Sequence, residues 1–183
     1  MRMSGRQARP TVSADAATPR LRLGVQVAAD VVGTDDLPVP STLRRWLLRA
    51  LQRDATVTVR FVGAAEGRRL NRTFRGKDYA TNVLTFVYDA DATGAPAPRN
   101  AAPLIGDIAL CVPVLRREAR ARRKTLRALC AHLVIHGTLH LQGFDHESAK
   151  DAKVMEALET ELLASLGYGD PYATIPLPFP PVP

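Results

Sequence analysis

Apolar residues recur at every second position through Leu21-Arg-Leu-Gly-Val-Gln-Val-Ala28 and again through Ala55-Thr-Val-Thr-Val-Arg-Phe-Val62. A period of two lets a strand bury one face and wet the other, so both segments predict strands, the second closed by Gly63. Asn82 to Tyr88 and Ile105 to Cys111 predict a third and a fourth. The intervening residues, Asp89 to Pro103, are rich in Ala, Pro, Gly and Asp and read as a surface loop. Elsewhere the spacing is helical. Leu43, Trp46, Leu47, Ala50 and Leu51 line one face of a helix from Thr42 to Arg53, with Ser41 as its cap. Further helices are expected over 64–74, 114–124, 125–142 and 148–166. In the last of these Ser148 and Asp151 form a capping box, Met155, Leu158, Leu162 and Leu163 form the stripe, and Gly167 marks the end.

Strand, helix, strand, helix, strand, strand and then three helices describe an α+β domain. The expectation is a single domain with a four-stranded mixed β-sheet, about five to six α-helices packed on it, and the histidine-bearing helix central. Residues 21–167 suffice for one core. Residues 1–20 are Arg- and Ala-rich without the apolar stretch of a secretory signal and are expected to be a disordered extension. Residues 168–183 are proline-rich and are expected to be an extended or disordered tail.

Composition changes this picture in four respects. With 46% hydrophobic and 23% charged residues in 183, the chain is of ordinary globular make-up, which excludes disorder of the whole. No apolar run approaches the ~20 residues of a membrane span, so the expectation is a soluble, cytoplasmic protein without a membrane partner. The net charge of +7 favours an anionic partner such as nucleic acid. Cys111 and Cys130 sit in apolar surroundings and read as buried free thiols of a reducing compartment.

The chemistry is concentrated in His132-Leu-Val-Ile-His136-Gly-Thr-Leu-His140-Leu-Gln-Gly-Phe-Asp-His146, which holds all 4 histidines of the chain. On a helix His136 and His140 project from one face a turn apart. Gly143 can end that helix with positive φ, and the reversed chain can return His146 to the same point. Three imidazoles leave the fourth tetrahedral position of a zinc ion open, as in catalytic sites. His132 lies one turn before His136, as a further ligand or, preferably, as a hydrogen-bonding group outside the ligand set. The spacing matches the metzincin protease pattern except at Gly137, where the protease carries the glutamate that acts as its general base. Without that base a peptidase needs a carboxylate from elsewhere. Metal chemistry on a phosphodiester remains open, because it asks for a Lewis acid and a guanidinium to meet the negative charge built on phosphorus.

A second block, Leu70-Asn-Arg-Thr-Phe-Arg75-Gly-Lys-Asp-Tyr-Ala-Thr-Asn-Val-Leu-Thr-Phe86, runs from a helix end through a glycine turn into a strand. Arg68, Arg69 and Arg72 on its helix read as a solvated basic face. Together with Gly106-Asp-Ile-Ala-Leu110 and the histidine block, it closely resembles the YbeY family of bacterial ribosomal-RNA maturation factors. The three blocks come in the family's order. The resemblance implies a single-strand-specific, metal-dependent endoribonuclease that matures the 3′ end of small-subunit ribosomal RNA and takes part in quality control of late ribosomes. It places the family's zinc ligands on His136, His140 and His146, with one Zn2+ per chain, and the family's functionally important arginine on Arg75. The implied partners are single-stranded or ribosomal RNA and the ribosome or its small subunit, with no DNA specificity. In the mechanism expected from it, zinc activates water or assists a ribose 2′-hydroxyl while Arg75 steadies the phosphate. Arg116, Arg117, Arg120, Arg122, Arg123 and Lys124 form a second basic patch that could follow an RNA backbone or simply be a solvated face. Asp145 and Glu147 adjoin the last histidine, without a general base being identified. The alternatives are a ribosome-assembly factor with purely structural zinc, whose shell would be closed by His132, and a metzincin-like metalloprotease.

Overall fold

The computed structural model describes residues 18–88, 102–146 and 148–173. Four strands, β1 (Leu21–Val27), β2 (Ala55–Val62), β3 (Val83–Val87) and β4 (Leu104–Cys111), form one sheet in the order β1-β2-β4-β3. β1, β2 and β4 run parallel, and β3 is antiparallel to β4. The helices are α1 (Pro40–Ala50), α2 (Ala64–Arg75), α3 (Val112–Ala121), α4 (Leu126–Leu141) and α5 (Ala149–Ser165). The fold is therefore α+β with a mixed four-stranded sheet, as the sequence predicts.

Register fixes which face is buried. Val59 pairs with Val25 and Ile108, and Ile108 with Thr85; Phe61 pairs with Val27 and Leu110, and Leu110 with Val83. Paired residues point to the same side, so this row faces the core. The intervening row, which includes Arg22, Thr58 and Asp107, faces the other way. Against the apolar row lies α4, which also touches α1, α3 and α5. Leu129, Cys130, Ala131, Val134, Ile135, Leu139 and Leu141 are all buried, as befits a helix covered on most sides. It is the central helix. Gly137 suits its close approach to the sheet: a Cβ there would stand 3.0 Å from Thr85 Oγ1 and 3.2 Å from Ile108 Cδ1, so those side chains would have to give way.

Two helix starts differ from expectation for one reason. α1 begins at Pro40 with Val39 as cap, so Ser41 lies inside the first turn and makes no capping bond. α3 begins at Val112 with Pro113 in its first turn. Proline's fixed φ suits the first turn of a helix, where its missing N–H would be unpaired in any case. α1 also stops at Ala50, because Leu51 has turned extended at ψ 137. The capping of α5 is as read: Ser148 Oγ accepts the N–H of Asp151 at 3.1 Å.

Residues 168–173, which composition assigns to the tail, pack back onto the helices. Tyr168 meets Trp46 edge-on with ring centroids 5.9 Å apart. Lys124 Nζ donates to the carbonyls of Asp170, at 3.3 Å, and Pro171. Two tyrosines and two capped carbonyls give this stretch partners that its glycine and proline content does not reveal. Residues 1–17 of the expected extension, 89–101 of the expected loop, Glu147 and 174–183 of the tail lie outside the described residues. No described helix is long and apolar enough to cross a membrane.

Candidate metal centre

α4 carries His132, His136 and His140 at successive turns. Thr125 starts the helix, its Oγ1 accepting the N–H of Ala128 at 3.1 Å. At the other end Gly143 adopts φ 85, and the N–H of Phe144 reaches back to the carbonyl of Leu139 at 3.1 Å. This closure reverses the chain, as glycine in the left-handed region permits. The return brings His146 to within 5.0 Å of His140 and 5.6 Å of His136, centroid to centroid. One nitrogen from each of His136, His140 and His146 lies within 4.8 Å of the other two. The expected trio is thus assembled at one point.

The donor set fits a metal. His136 Nε2 and His140 Nε2 are 3.1 Å apart. Two nitrogens on one tetrahedral zinc, with bonds of about 2.05 Å, stand roughly 3.3 Å apart. His136 Nδ1 is taken by Glu159 Oε1 at 2.8 Å, which directs the other ring nitrogen into the cleft. Burial, and then its neighbours His136 and His146, push the His140 imidazole down to about 4. At neutral pH it is in the unprotonated form that binds metals.

His132 stands behind this trio. Its Nε2 is 2.7 Å from Glu159 Oε2, and one atom from each of His132, His136 and Glu159 lies within 4.8 Å of the other two. Glu159 has no exposed surface. Burial alone would raise its carboxyl, but hydrogen bonds from His132, His136 and Tyr172 prevail and hold it down to about 2. Sequence reading overlooked Glu159 and Tyr172. One signal was available: Glu159 falls on the apolar stripe of α5, four residues after Met155 and three before Leu162, where a lone carboxylate is out of place.

Arg75 is the last residue of α2, which Gly76 closes. It lines a cleft of about 680 Å³ together with His136, His140, His146, Asn82 and Asp145. Arg75 and the trio, nominated from separate blocks, therefore face the same space. Arg68 on the same helix is engaged elsewhere, bonding Asp78 at 2.8 and 2.5 Å. Asp145 Oδ1 accepts the backbone N–H of the adjacent His146 at 2.7 Å, a bond local to the loop.

The basic patch of α3 is partly committed to the fold. Arg116 bonds Asp36 at 2.6 Å and the carbonyls of Val32 and Gly33. Arg122 pairs with Glu118 at 3.5 Å, and Lys124 holds the carbonyls of residues 170 and 171. Only part of that face remains for an RNA backbone. Both thiols are buried, as expected, and burial pushes Cys130 up to about 12.

The family model described as Endoribonuclease YbeY matches residues 38–167 of the chain. The Endoribonuclease YbeY of Aromatoleum aromaticum is 54% identical over 159 residues, covering 87% of this chain and 97% of that protein. Its namesake in Nitrosospira multiformis is 49% identical over 174 residues, covering 93% of this chain and 88% of that one. A solution structure of TM1509 from Thermotoga maritima is similar at 24% identity and a TM-score of 0.46, covering 82% of this chain and 99% of that one.

Proposed function

The chain belongs to the YbeY endoribonuclease family, and on that premise we propose that it is a zinc-dependent, single-strand-specific endoribonuclease of ribosomal RNA processing. Its proposed task is maturation of the 3′ end of small-subunit ribosomal RNA and quality control of late ribosomes, in the cytoplasm, on the ribosome or its small subunit. The observation that carries the reading is the shared cleft: Arg75 and the three histidines line one space although they come from α2, α4 and the loop after α4.

His136, His140 and His146 would hold the ion, one per chain. Zinc, when bound, supplies a Lewis acid that polarises a phosphoryl oxygen and lowers the pKa of water. The chain's own residues supply position and charge. Arg75, exposed at the rim, can bond two phosphate oxygens at once and meet the negative charge that grows on them during in-line attack. Asp145 lines the same cleft and accepts the backbone N–H of the adjacent His146. Gly137 offers no base at the protease position. The Glu159 carboxylate lies on the Nδ1 side of His136, away from the nitrogen that faces the cleft, so it does not stand in for that base. The engagement of His132 with Glu159 favours an open shell over a structural one closed by His132.

Metal content and cleavage of single-stranded RNA, measured side by side for wild type, His140→Ala and Arg75→Ala, test the reading. The histidine variant is expected to lose both metal and cleavage. Arg75→Ala is expected to keep metal and RNA binding while cleavage falls about 10²- to 10³-fold, the usual loss when a donor to developing charge is removed. Cleavage at wild-type rate by both variants would overturn the proposal.

A further inference from the structure

Behind the cleft lies a cluster that the reaction as described leaves unused. The two oxygens of Glu159 collect three donors: Oε1 accepts from His136 Nδ1 at 2.8 Å, and Oε2 accepts from His132 Nε2 at 2.7 Å and from the Tyr172 hydroxyl. Tyr172 also sets its ring edge-on to that of His132, with centroids 5.4 Å apart. It belongs to residues 168–173, past the end of the family match at residue 167. This stretch is held at its other points by Tyr168 against Trp46 and by Lys124 on its carbonyls.

A buried carboxylate is costly wherever it stands, and the stripe of α5 calls for an apolar residue at this position. The arrangement makes sense through His136. A neutral imidazole carries one N–H, and a carboxylate on Nδ1 fixes it there, leaving the Nε2 lone pair free on the side that faces His140. A carboxylate bonded only to His136 could rotate. With Tyr172 and His132 both on Oε2, the position of Oε1 is set, and the plane of the His136 ring with it.

We propose that Glu159 and Tyr172 are positioning residues of the metal centre, Tyr172 acting through the Glu159 carboxylate to hold His136 in the tautomer and orientation that present Nε2 to the ion. Residues 168–173 are then a working part of the site. The proposal rests on the assignment of His136, His140 and His146 as ligands. It differs from a purely structural role, in which the cluster only ties α5 and the following segment to α4.

The test compares wild type, Glu159→Gln and Tyr172→Phe in the full chain. Zinc affinity is measured by competition with a chelator, ligand geometry by the visible spectrum of the cobalt-loaded protein, and the tautomer of His136 by long-range 1H–15N correlation in the metal-free protein. Wild type should take up one zinc and show His136 protonated at Nδ1. Glu159→Gln, with a single acceptor oxygen and an unwanted donor, should bind zinc about 10- to 100-fold more weakly and mix the tautomers. Tyr172→Phe should move both readouts the same way by a smaller factor, roughly threefold to tenfold, with the unfolding temperature of the metal-free protein almost unchanged. If Glu159→Gln does not fold, Tyr172→Phe decides alone. Wild-type affinity, cobalt spectrum and tautomer in the folded variants would overturn the proposal while leaving the ligand assignment intact. Absence of zinc uptake by wild type itself would overturn both.

Discussion

Gly137 follows a proposed metal ligand, and its importance is both chemical and steric. A glycine there cannot serve as the base that the metzincin pattern requires. It also lets α4 lie against β3 and β4, since even a methyl group would press on Thr85 and Ile108 at 3.0 and 3.2 Å. Restoring the protease glutamate would drive a charged side chain into that interface. Gly137→Glu is expected to lose more than about 3 kcal/mol of stability or fail to fold, and to acquire no peptidase activity. Denaturant unfolding and a peptide-hydrolysis assay would show this. A stable, peptide-cleaving variant would refute the steric account.

At the scale of elements, α4 is the frame on which the site is built, and its ends matter differently. Thr125 caps its start, seven residues before His132. Thr125→Ala should cost about 1 kcal/mol in urea unfolding while metal affinity stays at its wild-type value. A large loss of affinity would mean that the histidines depend on the far end of the helix. The strands were legible because Val57, Val59 and Phe61 alternate with Thr56, Thr58 and Arg60, which is a local property. The trio was legible for the same reason, since helical spacing and one glycine turn bring His136, His140 and His146 together. Strand order was not, because the pairing of β2 with β4 joins residues about fifty positions apart and leaves no local trace. The partnership of His136 with Glu159 was hidden likewise, spanning 23 positions between two helices. Ser41 misled because a good capping residue beside Pro40 yields to proline's preference for the first turn.

At the scale of the molecule, two connections meet beside β3, an edge strand of the sheet. The α2–β3 connection carries Thr81 and Asn82 and follows directly on Arg75; the α4–α5 connection carries Gly143 to His146. Both border the same cleft. The one helix α4 thus supplies His136 and His140, while the loop after it supplies His146. The chain's net charge of +7 suits a polyanionic substrate. In the proposed function RNA cleavage depends on one ion held by His136, His140 and His146 next to Arg75. Metal is stripped from the wild-type protein and zinc titrated back while the initial rate of single-stranded RNA cleavage is followed. No cleavage is expected without metal, then a linear rise to a break at one zinc per chain, with no rise for His140→Ala. Undiminished cleavage by the metal-free protein would rule that dependence out.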